Sequence, residues 1–67
     1  MNYEGWDIVN DVCIYNGTSK NELITEVADY IYYQNHINEY LVDEEAIQEL
    51  DSQQLEAVGI KVYFNKI

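Results

Sequence analysis

Arginine and proline are absent from this chain, and cysteine and histidine occur once each. A single cysteine cannot form an intramolecular disulfide, which points to a reducing compartment. One cysteine and one histidine cannot build a structural zinc site. The acids between Asp43 and Glu56 lack the D-x-D-x-D-G order of a calcium loop. No metal and no cofactor is therefore expected. The lack of proline argues against a linker-like chain. No stretch reaches the ~18 apolar residues that span a bilayer. Acids stand near the start, where a secretory signal would carry bases. A soluble, cytoplasmic protein with no membrane partner is the expectation.

Positive charge is the scarcest commodity. Three lysines face thirteen acids, for a formal net charge of −10. Ten of the acids lie between Lys20 and Lys61, and no lysine or arginine lies among them. Direct nucleic-acid binding needs a basic footprint, so it is disfavoured. Self-repulsion at this charge costs stability, which suggests that the charge has a use. The expected partner is a basic protein surface.

Apolar residues make up 48% of the chain, and seven residues are tyrosines, which favours a folded domain over disorder. Sixty-seven residues form one small acidic domain, 1–67. A chain of this size buries only about 60% of its unfolded surface. Cys13 lies in an apolar run and is expected to be a small buried hydrophobe.

The run Trp6–Tyr15 is rich in β-branched and aromatic residues and reads as strand. It is either one bent or bulged strand or a hairpin turning at Asn10-Asp11. Asn16-Gly17-Thr18 is a turn. Ser19, with Glu22 three residues on, matches the capping-box pattern of a helix start. The helix should run to about Asn35, with Leu23, Ile24, Val27, Ala28 and Ile31 on its apolar face. Glu39–Val42 reads as a short strand. Asp43 is placed to cap a second helix, Glu44 to Leu50, and Ser52 to cap a further turn through Ala57. Gly59 stops that turn. Ile60–Phe64 alternates, with Ile60, Val62 and Phe64 inward. These elements fit an α+β fold: a small two-layer domain whose short antiparallel sheet is packed by one main helix and a second, shorter one.

The candidate site lies on the helices. Glu22, Glu26, Asp29 and Tyr33 follow an i, i+4, i+7, i+11 spacing that lines one face with three carboxylates and a phenol. Glu22 and Asp29 stand roughly 10 Å apart along the axis. Most charged helix faces are simply solvated. An ordinary one, however, mixes signs, whereas Glu22 and Glu26 are an uncompensated like-charged i,i+4 pair. Asp43, Glu44, Glu45 and Glu49 extend the negative surface. Carboxylates one turn apart sit ~6 Å from each other, comparable with phosphates along a nucleic-acid strand.

Catalysis has little support. Cys13 and His36 could in principle pair as nucleophile and base, but Cys13 falls inside a strand. Leu50-Asp51-Ser52 resembles the Asp-Ser pair of acyl carrier proteins. Here Gln53 follows instead of Leu or Met, and the long helices of that family are missing. In size and charge the chain is similar to small phage proteins that disarm restriction, CRISPR or repair enzymes. The expectation is a non-enzymatic inhibitor that mimics nucleic acid, acting in a host cytoplasm if phage-encoded. The alternative is an antitoxin-like or adaptor protein, binding a basic partner by a tyrosine-rich surface or a sheet edge. A small sheet with exposed edges can also support a homodimer.

Overall fold

The computed structural model describes residues 1–34 and 42–65, with only the backbone of Gln34. It is an α+β fold in two layers. Strand β1 (Asn2–Asp7) turns into β2 (Val12–Gly17), and helix α1 (Lys20–Asp29) follows. α1 runs directly into a π-helical turn, Tyr30–Gln34. Two short helices, α2 (Glu44–Glu49) and α3 (Ser52–Ala57), precede strand β3 (Ile60–Asn65). The sheet is antiparallel in the order β2-β1-β3.

The hairpin alternative for Trp6–Tyr15 is the one realised. Asp7 makes the turn: its Oδ1 accepts from the backbone N–H groups of Val9 and Asn10 at 3.0 and 3.1 Å. An aspartate that ties down the backbone ahead of it defines such turns locally. Asp11 closes the turn in the left-handed region, φ 56°. The partners then run Asp7↔Val12, Trp6↔Cys13 and Gly5↔Tyr15, so Ile14 is an extra residue in a bulge. The bulge resets the alternation of β2. Cys13 lies on the turn side of the bulge, paired with Trp6 on the outward face, and is exposed, contrary to the buried position expected for it.

Helix α1 begins as its sequence directs, with Ser19 Oγ accepting from the Glu22 N–H at 3.2 Å. Its Leu23, Ile24 and Val27 are buried, together with Tyr30 and Ile31 of the π turn. They pack on the inward face of the sheet, whose centre is Gly5. A Cβ on Gly5 would lie 2.9 Å from Leu23 Cδ1, so the helix rests almost on the β1 backbone. Ala46, Ile47, Leu50, Leu55 and Ile60 complete this core.

The break between α2 and α3 comes from Leu50, which takes φ 53°. Its N–H reaches the Ile47 carbonyl and the Asp51 N–H reaches that of Ala46, the paired bonds of a Schellman stop. Glycine is usual there; leucine costs about 1–2 kcal/mol of backbone strain. Its buried side chain repays that. The turn shifts the next cap by one residue: Asp51, not Ser52, accepts from the Gln53 and Gln54 N–H groups.

β3 alternates as expected at Ile60 and Val62, but Phe64 outruns the core. It stacks edge-to-face on Tyr3, with centroids 5.6 Å apart, and stays 51% exposed. The strand expected at Glu39–Val42 lies outside the described residues except for Val42, which is buried. His36 and the C-terminal end of the expected first helix, beyond Gln34, also lie outside them.

Gly59 joins α3 to β3 at φ 82°, and its carbonyl accepts from the Ile8 N–H at 2.9 Å. A Cβ there would also meet Val9 Cγ2 at 2.6 Å. Val9 is 75% exposed and can turn away, so backbone strain is the larger cost. Gly59→Ala is expected to lose about 1–2 kcal/mol in urea denaturation. Adding Val9→Ala should restore little of it.

Candidate functional site

The acidic residues singled out from the sequence lie in the helical layer. Glu22, Glu26, Asp43, Glu44, Glu45, Glu49 and Tyr33 are exposed, and Asp29 is half-buried. Tyr33 keeps 78% of its surface, an unusual position for a phenol ring that could have joined the core.

The structure brings part of this set together. A groove of about 410 Å³ runs between the end of α1 with its π turn and the start of α2. Asp29 and Tyr33 line one wall, and Glu44 lines the other with Gln48. Ala28, Tyr32 and Ile47 supply an apolar floor. The π turn shapes that wall. It holds Tyr30 inward, where the hydroxyl donates to Asp7 at 2.6 Å, and directs Tyr32 toward α2, where the hydroxyl donates to the Val42 carbonyl at 3.1 Å. Tyr33 is left facing outward. Such turns are uncommon and recur at functional positions.

Glu22 is diverted from the groove. In a full capping box its carboxylate would take the Ser19 N–H. Here Tyr15 stands between them: the Ser19 N–H donates to the phenol oxygen at 3.1 Å, and the phenol donates to Glu22 at 3.0 Å. The Ser19 N–H favours the phenolate, but partial burial and the carboxylates of Glu22 and Glu26 outweigh it. They push the Tyr15 pKa up. Glu22 thus ties α1 to β2, and Glu26 stands near it on the same flank.

Asp43 occupies the cap position of α2 without a side-chain cap bond, leaving its carboxylate to solvent. Glu44 and Glu45 follow in the first turn, at the positive end of the helix dipole. The chemistry of the groove is then two carboxylates, two phenols and an apolar floor. That combination suits a cationic group on an apolar stem, such as a lysine or arginine side chain.

Tyr32, Ile47 and Gln48 were not apparent as groove residues in the sequence. Tyr32 follows Ala28 by one helical turn, a detectable signal. Ile47 and Gln48 depend on how α2 packs, which no local pattern reveals.

Among the described residues, no group of three or more His, Cys, Asp or Glu is placed to hold a metal ion. None of their helices is long and apolar enough to cross a membrane. Compared with protein-family models, curated proteins and solved structures, the chain matches none.

Proposed function

We infer that this protein is a non-enzymatic acidic binder that occupies the basic nucleic-acid site of a DNA- or RNA-handling protein. The carrying observation is the concentration of exposed carboxylates on α1 and α2, in a chain of net charge −10 with no lysine or arginine between Lys20 and Lys61. Glu26, Asp29, Glu44, Glu45 and Glu49 stand in for phosphates. Tyr33 supplies a ring for apolar or cationic groups of the partner. Complementary potential then steers the encounter and excludes nucleic acid from the occupied groove. This is the logic of a phage-type anti-restriction or anti-CRISPR inhibitor acting in a host cytoplasm.

The test begins with capture of the partner from lysate, followed by competition. The protein is expected to displace labelled DNA or RNA from its partner, and its affinity should fall as salt rises from about 0.05 to about 0.3 M. Glu26→Lys, Asp29→Lys and Glu44→Lys together should weaken binding about a hundredfold or more, with the circular-dichroism spectrum unchanged. Glu22 is left alone because it bonds Tyr15. Undiminished binding by the triple variant would sink this reading. The antitoxin-like or adaptor alternative, through Tyr33 or the edges of β2 and β3, would then take its place.

A further inference from the structure

The helices cover one face of the sheet. Among the described residues nothing covers the other, and the alternation of β1 places its single tryptophan there. Trp6 pairs with Lys61 and Cys13, and Glu4 with Tyr63, on this outer face. With Ile8, Asp11 and Asn65 from the strand ends, Glu4, Trp6 and Tyr63 line a groove of about 420 Å³.

The groove is built around a carboxylate held in place by two donors, with Trp6 and Tyr63 also in its lining. Trp6 Nε1 donates to one oxygen of Glu4 at 3.2 Å, and Asn65 Nδ2 donates to the other. Both donors are neutral, so the negative charge of Glu4 is oriented without being cancelled. Asp11 adds a second carboxylate on the exposed turn. The Tyr63 ring already carries a cation, Lys61 Nζ, 5.6 Å from its centroid.

We propose that this outer groove binds an arginine side chain of a protein partner, with the guanidinium stacked on Trp6 and paired to Glu4 and Asp11. Charge complementarity selects a cation in a chain of net charge −10. The aromatic wall selects arginine over lysine. A planar, weakly hydrated guanidinium stacks on an indole and pairs with carboxylates side by side, whereas an ammonium keeps its water. This site lies on the layer opposite the helical groove and does not depend on the reading proposed for that groove.

The chain has one tryptophan, so its emission reports directly on this groove. The probes are an Arg-Gly-Gly repeat peptide and a Lys-Gly-Gly repeat peptide of equal length. The arginine peptide is expected to change Trp6 emission saturably and to bind at least about threefold more tightly than the lysine peptide. Glu4→Gln with Asp11→Asn should weaken it about tenfold. Both changes preserve shape, and asparagine tolerates the positive φ of Asp11. Glu56→Gln removes one charge from α3, outside both grooves, and should change affinity less than about twofold. Equal loss from this control and from the Glu4/Asp11 double variant, equal affinity for the two peptides, or calorimetric binding with unchanged Trp6 emission would each overturn the assignment. None of these outcomes bears on the displacement of nucleic acid by the helical face.

Discussion

Replacing Asp7 by alanine is expected to cost about 3 kcal/mol, close to the limit of what a domain of this size can lose. The side chain is 3% exposed and accepts four hydrogen bonds: from Val9 N–H, Asn10 N–H, the Asn10 amide and the Tyr30 hydroxyl. It joins the hairpin turn to the π turn of the helical layer. Alanine would leave Tyr30 and the turn amides without that acceptor, and such deletions sit at the costly end of the range.

Asp7→Asn separates the charge from the shape. Burial works against the carboxylate, but the bonds from Tyr30, Asn10 and Val9 outweigh it and hold its pKa below the ordinary aspartate value. The folded value is therefore lower than the unfolded one. The associated stability is fully present above the unfolded value and is lost as pH falls through the folded one. The stability gap between wild type and Asp7→Asn should thus be constant near neutrality and shrink in acid. Urea denaturation of both proteins from about pH 6 to about pH 2.5 measures it. A gap that stays the same at every pH would mean that ionised Asp7 is not the source. The other acids titrate in both proteins and largely cancel in the difference.

Gly5→Val should be comparably damaging, at about 3 kcal/mol, through overpacking. Gly5 is buried at the centre of the inward face, 2.9 and 3.3 Å in Cβ terms from Leu23 Cδ1 and Val27 Cγ2. Leu23 and Val27 are fully buried and have little room to retreat. Leu23→Ala alone should also cost about 3 kcal/mol, by leaving a cavity. Combined with Gly5→Val it should cost less than the sum, because the valine methyls enter the vacated space. A double-mutant cycle by urea denaturation gives the coupling. Strict additivity would show that helix and strand do not meet at this point.

These two residues also mark where the sequence was hard to read. Glycine and aspartate do not look like core, so the inward face of β1, formed by Tyr3, Gly5 and Asp7, was invisible. Trp6, by contrast, faces outward. Cys13 is exposed because the hairpin pairs it with Trp6, and beyond it the Ile14 bulge shifts the alternation so that Tyr15 faces Gly5. Periodic segments with strong caps were legible: α1 from Ser19, the stop at Gly59, and Ile60 and Val62 in β3. The two-layer α+β architecture followed from them. The π turn left no local signature, since its tyrosines fit an ordinary helix equally well. In the helical groove, Asp29, Tyr33 and Glu44 could be named from spacing and charge. Their convergence depends on the packing of α2 against α1, and the diversion of Glu22 depends on Tyr15 in another element.

The strand order β2-β1-β3 has a consequence for colloidal behaviour. Among the described residues, β2 and β3 each have one hydrogen-bonded neighbour, which leaves two unpaired edges on a small sheet. Edges of this kind recruit other chains and seed aggregation. Mutual repulsion between molecules of charge −10 holds free copies apart. Neutralisation removes that protection, whether by acid or by a basic partner spread over the carboxylates. The same charge that would complement a cationic surface therefore also keeps separate copies dispersed, and edge-to-edge growth becomes accessible only after that charge is cancelled.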